Sequence, residues 1–221
     1  MAARRGNHDD RREAMVAEQI AARGIRSPAV LRAMGAVRRE RFVPRLARRF
    51  AYDDGPLAIG GGQTISQPYV VALMIASAGV ESDERVLEIG TGSGYGAAVL
   101  GAIAHEVHTV ERLAPLAEKA ARRLADEGFD NVHVHVGDGT VGRPEDAPFD
   151  AILVTAAGPR VPTSLLAQLA PGGRLVMPVG EDPELQRLVR VTRAGEDRFE
   201  REDLGAVRFV PLIGAEGWDE P

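Results

Sequence analysis

The sequence contains no cysteine, and its 221 residues include a single lysine, Lys119, and a single tryptophan, Trp218. The absence of cysteine excludes disulfides, thiolate metal sites and cysteine nucleophiles. No run of about 18 apolar residues occurs, so we expect no membrane-spanning helix. The apolar stretch of a secretory signal is also missing, which leads us to expect a cytoplasmic protein without a membrane partner.

Positive charge is not in excess either, because the formal net charge is −5 at pH 7. Nucleic-acid-binding domains usually carry a basic stripe. The run that comes nearest to one consists of Arg38, Arg39, Arg41, Arg45, Arg48 and Arg49. We interpret this run as a solvated helix face, and we expect no nucleic-acid partner.

The periodicity of apolar residues predicts the architecture. From residue 83 to about residue 180, strand patterns alternate with helix patterns, which predicts a mostly parallel, doubly wound α/β sheet. Two N-terminal helices precede this region, and the glycine-rich residues 51–68 are predicted to form a long loop. A turn is predicted at Pro171-Gly172-Gly173. Apolar patterns over 185–192 and 198–210 predict a C-terminal antiparallel hairpin.

The most informative short motif is a glycine-rich turn that follows the first strand of this alternation, Val86-Leu87-Glu88-Ile89-Gly90-Thr91-Gly92-Ser93-Gly94. Its glycines let the backbone approach a ligand, and the helix that begins after it offers free N–H groups. Glu111 lies 21 residues after Gly90, at the end of the next strand, where a carboxylate can accept from ribose hydroxyls. Asp138, after the third strand, is placed to accept from the amine of adenine.

Two ligands compete for this turn. The segment Gly92-Ser93-Gly94-Tyr95-Gly96-Ala97 also fits the dinucleotide fingerprint, so a nicotinamide-dependent oxidoreductase is one alternative. Glu88 would repel a pyrophosphate, whereas S-adenosylmethionine has no phosphate and carries an ammonium and a sulfonium. Charge therefore favours S-adenosylmethionine. A non-catalytic adenosyl-binding module, or a methyltransferase acting on RNA or a small molecule, remains open at this point.

Longer segments make the chain resemble the protein-L-isoaspartate (D-aspartate) O-methyltransferases. The most specific is Thr64-Ile65-Ser66-Gln67-Pro68, preceded by Tyr52-Asp53-Asp54-Gly55-Pro56-Leu57. The match stays in register from about residue 10 to 214. It includes Leu87–Tyr95, Val110-Glu111-Arg112, Gly137-Asp138-Gly139, Val154-Thr155-Ala156-Ala157 and Phe209-Val210-Pro211-Leu212.

The resemblance implies a class I S-adenosylmethionine-dependent methyltransferase with a Rossmann-like fold. Residues 1–80 would form a helical extension with the substrate loop, 81–180 the cofactor-binding core, and 181–221 a hairpin and tail. The implied reaction moves a methyl group from S-adenosylmethionine to the free α-carboxyl of L-isoaspartyl residues in damaged proteins and peptides. The ester would then cyclise to a succinimide, which opens a repair route. We expect the chain to act as a monomer.

The resemblance also assigns roles to residues. Ser66 is the implied catalytic residue, which seats the substrate carboxylate, although it could instead cap the helix that begins at Pro68. The implied substrate-binding residues are Thr64, Ile65, Val154 and Thr155. The implied cofactor-binding residues are Glu88, Gly90, Thr91, Gly92, Ser93, Glu111, Arg112, Asp138 and Gly139. Gly96 stands where glutamine is expected and Arg143 where an aromatic is expected, which leaves the peptide preference open.

Neither a metal nor a general base is predicted. His133 and His135 alternate along one strand and so share one face, but no third ligand is evident from the sequence. We therefore interpret them as ordinary strand histidines and expect no metal. An α-carboxyl acceptor has a pKa of roughly 3.5 and is already ionised at neutral pH, so its methylation needs no base.

Overall fold

The structure is a computed structural model that describes residues 8–182 and 184–220. Its strands are β1 (Leu57–Gly60), β2 (Gln63–Ile65), β3 (Arg85–Ile89), β4 (Glu106–Glu111), β5 (Val132–Val136), β6 (Phe149–Val154), β7 (Leu169–Val179), β8 (Gln186–Arg193) and β9 (Phe199–Val207). Its α-helices are α1 (His8–Ala14), α2 (Pro28–Ala36), α3 (Pro68–Ala78), α4 (Tyr95–Gly101), α5 (Ala114–Asp126) and α6 (Thr163–Ala167).

The main sheet has the strand order β5-β4-β3-β6-β7-β8-β9 over the described residues. Strands β3 to β7 run parallel, and β8 and β9 are antiparallel to their neighbours. This arrangement confirms the predicted mostly parallel sheet with a C-terminal antiparallel hairpin. The order reverses between β3 and β6, and ligands of such sheets bind at the carboxyl ends of the strands beside that reversal.

Both faces of the sheet are covered by apolar side chains. On one face Val86, Val107 and Leu153 pack in a core shared with α3, α4 and the N-terminal region. On the other face Leu87 packs in a second core that includes Leu165 of α6 and the C-terminal segment. Strands covered on both sides read as nearly continuous apolar runs, which is why β3 and β6 are recognisable in the sequence.

A proline and a glycine set the bounds of α3, and its start at Pro68 confirms the prediction. Helix α3 begins with Pro68, whose missing N–H costs nothing in a first turn, and it ends at Gly79 in the left-handed region with φ +61°. Helix α5 buries one apolar stripe made of Leu116, Ala117, Ala120 and Leu124. None of the helices in the described ranges is long and apolar enough to cross a membrane.

The structure differs from the sequence-based expectation in three places. The first predicted helix contains a π-helical turn, Met15–Ile20, and a 3₁₀ turn, Ala21–Arg23. Residues 51–68 are not only a loop, because β1 and β2 pair there as a small antiparallel sheet. Strand β7 begins at Leu169 and runs through the predicted turn, since a shift in its register with β6 absorbs the extra residues.

Candidate active site

Three adjoining cavities lie where the carboxyl ends of β3, β4 and β6 meet the β1–β2 segment. The first has a volume of about 550 Å³ and the second about 570 Å³. The third is a broader surface groove of about 1290 Å³. Thr64 and Thr155 line all three, and Ser66 borders the first cavity and the groove. These residues therefore mark the junction of the cavities.

The glycine-rich turn brings backbone to the edge of both smaller cavities. Gly90 has φ +97° and Gly92 has φ +52°, conformations that other residues rarely adopt. A Cβ atom on Gly90 would overlap the hydroxyl of Thr155, which donates to the Gly90 carbonyl at 2.9 Å. Glycine is thus required at position 90 for the turn to lie against the end of β6.

Glu111 ties the end of β4 to this turn. Its Oε2 accepts from the N–H of Gly92 at 2.8 Å, and its Oε1 accepts from the N–H of Leu113 at 3.0 Å. The side chain is nearly buried and lines the second cavity. A carboxylate has about four acceptor sites, so Glu111 keeps capacity for a further donor from a ligand.

Glu88 lies beneath the first cavity with 2% of its surface exposed. Its Oε2 accepts from the hydroxyl of Thr109 at 2.6 Å. Burial raises the pKa of Glu88 to about 8, and the negative charge of Glu111 adds to that effect. A Cβ at Gly96 would overlap Glu88 Oε1, so the glycine found in place of the expected glutamine accommodates this side chain.

Glu88 is therefore not the permanently ionised carboxylate that was expected to repel pyrophosphate. In the structure Glu88 is mostly protonated near pH 7, because a buried carboxylate is costly to ionise. A cation close to this group would favour its ionised form, whereas an anion would gain no attraction from either form.

Ser66 follows β2 and faces the junction of the cavities. The alternative interpretation, that Ser66 caps α3, is wrong: the N-cap position is occupied by Gln67, and no side chain makes the capping hydrogen bond. The reason is that Pro68 is the first residue of the helix, which puts Ser66 one position too early. The Ser66 carbonyl, by contrast, accepts from Arg39 Nη2 at 2.7 Å.

Arg39 is a residue that sequence reasoning missed. It is fully buried, its Nε donates to the carbonyl of Ala51 at 2.7 Å, and its guanidinium lies 4.7 Å from the ring centroid of Tyr95. The interpretation of the arginine run as a solvated face is therefore wrong for this member. The sequence offers no signal that separates Arg39 from its exposed neighbours, because its partners are distant along the chain.

Most of the predicted site residues line the two smaller cavities. Those in the first are Thr64, Ile65, Ser66, Glu88, Gly90, Thr91, Gly92, Ser93 and Thr155. Glu111, Arg112 and Gly139 line the second. Val154 is buried in the second apolar core instead. The carboxylate of Asp138 accepts from the N–H groups of Thr140 and Ala215, and its role toward adenine stays a prediction.

The C-terminal segment forms one wall of the second cavity through residues 210–213. Trp218, whose placement the sequence left open, packs back and donates from Nε1 to the carbonyl of Ala157 at 3.0 Å. Glu216 accepts from the N–H and the hydroxyl of Thr163 at 2.6 and 2.7 Å. These bonds hold the segment against the start of α6.

The strand order, the glycine turn and the acidic residue at the end of β4 together define a class I methyltransferase fold. A family model described as Protein-L-isoaspartate(D-aspartate) O-methyltransferase (PCMT) matches residues 10–217. The chain belongs to this family, as the sequence motifs predicted. The match spans the N-terminal helices, the β1–β2 segment, the sheet and most of the C-terminal segment.

Similar proteins agree with this assignment. The chain is 59% identical to protein-L-isoaspartate O-methyltransferase 2 of Pelobacter propionicus, over 96% of this chain and 94% of that one. It is 61% identical to a protein-L-isoaspartate O-methyltransferase 1 of Rhodopseudomonas palustris, over 94% and 84% of the two chains. A solved protein-L-isoaspartate O-methyltransferase superposes with a TM-score of 0.84 at 30% identity, over 93% of this chain and 67% of that one.

A Plasmodium falciparum member, solved with S-adenosyl-L-homocysteine, superposes with a TM-score of 0.80 at 25% identity. That alignment covers 94% of this chain and 99% of the other. Both superpositions extend over the whole described fold rather than the sheet alone. They confirm the predicted family and the predicted Rossmann-like fold class.

Proposed function

We propose that the chain moves a methyl group from S-adenosylmethionine to the free α-carboxyl of L-isoaspartyl residues in damaged proteins and peptides. Family membership confirms the methyltransferase class and its cofactor, and nothing supports the nicotinamide-dependent alternative. The observation that carries the proposal is the junction at Thr64, Ser66 and Thr155. A peptide in the surface groove and a cofactor in the smaller cavities would meet there.

The residues of the two smaller cavities fit an adenosyl cofactor. Gly90 and Gly92 leave the cavity edge without side chains, which suits close approach by a bulky ligand. Glu111 has acceptor capacity left for ribose hydroxyls, and Glu88 can ionise beside a positive group. When bound, S-adenosylmethionine supplies an electrophilic methyl group on a sulfonium.

The chain's own task is to orient the acceptor and exclude water. The acceptor carboxylate is already ionised at neutral pH, so no residue needs to remove a proton. The first cavity is walled by apolar side chains, Ile65, Val71, Met74, Ile75, Leu100 and Leu153. Charge is lost as a carboxylate approaches a sulfonium, so a water-poor wall favours the reaction. Ser66 lies where its hydroxyl can donate to one carboxylate oxygen while the other attacks.

The surface groove has the mixed character of a peptide site. Its walls include Tyr69, Leu73 and Phe209, and its rim carries Arg23 and Arg208. Arg23 is held by an ion pair with Asp54 at 3.3 Å, and it lies over the Tyr69 ring at 3.7 Å. Apolar walls with a few fixed polar groups are typical of ligand-binding clefts.

We also propose that the chain acts as a monomer on protein and peptide substrates, without a nucleic-acid partner. The arginine run supports the absence of a nucleic-acid partner, because Arg38 and Arg41 both pair with Glu127, at 2.8 and 2.7 Å, and Arg39 is buried. These three arginines therefore do not form a free basic stripe that could follow a phosphate backbone. The cytoplasmic location stays a prediction from the sequence.

The direct test uses S-adenosylmethionine with a labelled methyl group and two peptides of the same composition. One peptide contains an isoaspartyl linkage and the other the normal aspartyl linkage. We expect a base-labile methyl ester on the isoaspartyl peptide alone, with one label per isoaspartyl residue. Equal labelling of both peptides would contradict the proposed specificity for the isoaspartyl linkage. Absence of labelling in a protein that still binds S-adenosylhomocysteine would contradict the proposed methyl transfer.

A further inference from the structure

A cluster of possible metal ligands lies on the sheet face opposite α4 and α5, near the edge formed by β5. It consists of His108 on β4, His135 on β5 and Asp146 in the 3₁₀ turn Pro144–Asp146. His108 Nδ1 is 3.1 Å from His135 Nε2 and 3.3 Å from Asp146 Oδ2. One ligand atom from each residue lies within 4.8 Å of the other two.

Strand register explains why these residues meet. In the parallel pair, Val110 is the partner of His135, and His108 is the partner of His133, so the histidines share one face. The rings of His108 and His135 are parallel, with centroids 5.3 Å apart. The turn before β6 passes over this face and adds Asp146. Two of the three ligands, His108 and Asp146, therefore come from elements other than β5.

The distances match a small coordination sphere. Zinc binds imidazole nitrogen at about 2.0–2.1 Å and carboxylate oxygen at about 2.0–2.2 Å, so adjacent ligands of a tetrahedral site lie roughly 3.3 Å apart. The two short separations, which both start from His108 Nδ1, are 3.1 and 3.3 Å.

The surroundings of the two His108 nitrogens are compatible with a metal at Nδ1. Its buried Nε2 makes no hydrogen bond, and the nearest acceptor is Glu106 Oε2 at 3.5 Å. If Nδ1 carries the proton, Nε2 has a lone pair with no donor to accept from. If Nε2 carries the proton, the lone pair of Nδ1 faces Asp146 Oδ2 and His135 Nε2, and only His135 could donate to it. A cation at Nδ1 would place the proton on Nε2, toward Glu106. Carboxylate–histidine–metal arrangements of this kind are general in metal sites.

Two arginines hold the carboxylates in place. Arg85 donates to Glu106 Oε2 at 2.8 Å, and Arg143 donates to Asp146 Oδ2 from Nε at 2.8 Å. Arg143 Nη2 also lies 2.7 Å from Asp146 Oδ2. Both Arg143 nitrogens contact Oδ2, so a metal bound at this oxygen replaces one of these contacts. Two imidazole ligands suit a transition metal rather than calcium or magnesium.

We propose that His108, His135 and Asp146 bind one Zn²⁺ ion, with water as a fourth ligand and Glu106 as the partner of His108. The ion would join the 3₁₀ turn to β4 and β5 on the face away from the first cavity, and the water would leave one coordination position open. The site replaces the interpretation of His135 as an ordinary strand histidine. It does not depend on the proposed methyl-transfer activity.

The test uses purified full-length protein, stripped of metal with a chelator and titrated with zinc chloride by calorimetry. We expect one Zn²⁺ per chain, a higher melting temperature, and ¹⁵N shifts of metal-bound imidazole at two histidines. His135→Gln and Asp146→Asn should each weaken binding by at least about tenfold. Glu106→Gln should weaken it by roughly tenfold through His108. The matched control is His105→Ala, since His105 is exposed and outside the cluster.

Three results would overturn the proposal. The first is the absence of stoichiometric binding by the wild type. The second is unchanged affinity in folded His135→Gln and Asp146→Asn proteins. The third is an equal loss in the His105→Ala control, which would mean adventitious binding. Circular dichroism and S-adenosylhomocysteine affinity report folding of each variant. If His135→Gln does not fold, Asp146→Asn decides, because its change lies in a surface turn.

Discussion

The backbone carbonyl and the side chain of Ser66 have different roles. Its carbonyl accepts from the buried Arg39, which fixes the backbone after β2, while its side chain faces the junction of the cavities. Because Gln67 occupies the N-cap position of α3, the hydroxyl has no part in starting that helix. Substitution of the hydroxyl therefore separates catalysis from stability more cleanly than the sequence suggested.

We expect Ser66→Ala to lower turnover of an isoaspartyl peptide by at least about tenfold, equivalent to roughly 1.4 kcal/mol of barrier. The free energy of unfolding should change by less than about 0.5 kcal/mol, since no capping bond is lost. Single-turnover methylation and urea unfolding measure the two effects. Ser82→Ala, an exposed serine, is the control. Wild-type turnover in Ser66→Ala would show that the Ser66 hydroxyl does not orient the acceptor carboxylate, and would leave that role to the loop backbone.

Arg39 holds two segments together through carbonyl groups rather than carboxylates. Its bonds to Ala51 and Ser66 use the planar guanidinium, and lysine can reach only one of these acceptors at a time. We expect Arg39→Lys to lower the free energy of unfolding by about 1–3 kcal/mol, because a buried carbonyl loses its donor. It should also raise the KM for the peptide more than the KM for the cofactor.

The control for this substitution is Arg38→Lys, since Arg38 is exposed and pairs with Glu127 at the surface. Thermal melts and steady-state kinetics of the two variants provide the comparison. Equal effects of the two changes would show that the buried guanidinium has no special part in placing Ser66.

Glu88 should make stability depend on pH. Its pKa of about 8 in the folded protein lies above the ordinary value of 4.5, so the folded state holds the proton more tightly. The stabilising contribution is full below pH 4.5, falls as pH rises from about 4.5 to about 8, and is lost above that. Glu88→Gln does not titrate, so its stability relative to the wild type should increase across this interval.

Urea unfolding of both proteins without cofactor at about pH 5, 7 and 9 measures this difference. Glu118→Gln, which removes an exposed carboxylate of α5, is a suitable control. Parallel stability curves for wild type and Glu88→Gln across the whole range would contradict the raised pKa.

Helix α6 is short, and its first turn depends on the C-terminal segment. Glu216 accepts from the N–H and hydroxyl of Thr163 and from the hydroxyl of Ser164, while Ala215 donates to Asp138. A carboxylate at the start of a helix also interacts favourably with its dipole. These bonds position residues 210–213 along the second cavity.

We expect Glu216→Ala to lower the free energy of unfolding by about 1–2 kcal/mol, the usual range for loss of a capping residue. It should also weaken S-adenosylhomocysteine binding, because the cavity wall is less well held. Glu220→Ala, which removes only an exposed pair with Arg112, should change stability by less than about 1 kcal/mol. Calorimetric binding and thermal melts of both variants test this. Unchanged cofactor affinity in Glu216→Ala would contradict a role of the C-terminal segment in cofactor binding.

Cofactor binding should stabilise the fold as a unit. At a concentration about 100-fold above its Kd, S-adenosylhomocysteine should add about 2.7 kcal/mol to the free energy of unfolding. Nicotinamide dinucleotides should have no effect.

Glu111→Ala should weaken cofactor binding by about 1–3 kcal/mol, because ligand donors and the N–H of Gly92 lose their acceptor. Chemical unfolding with and without ligand measures each case, and unchanged affinity in Glu111→Ala would contradict the assigned role.

Local features were predictable from the sequence, and long-range ones were not. The start of α3 at Pro68 and the alternation of strands and helices from residue 83 agree with the predictions, because prolines, glycines and apolar periodicity act over a few residues. The glycine turn and the residues after β2 were recognised for the same reason. They are contiguous motifs that needed no knowledge of the rest of the fold.

The missed features all depend on partners distant along the chain. Arg39 is buried by contacts with Ala51 and Ser66, and His135 meets His108 and Asp146 only after the sheet forms. The pairing of β1 with β2 is a weak signal, because both strands are short and their apolar residues are few. The protonation of Glu88 depends on burial, which the sequence around a strand end does not reveal.

The outer edge of the sheet has a consequence for an enzyme whose substrates are damaged chains. Strand β9 carries four consecutive exposed charges, Glu200, Arg201, Glu202 and Asp203, and a bulge interrupts its pairing with β8. Partly unfolded proteins offer free strands that readily extend an open sheet edge, and charged or bulged edges resist such pairing. The charges and the bulge therefore make β9 a poor template for a strand offered by such a chain.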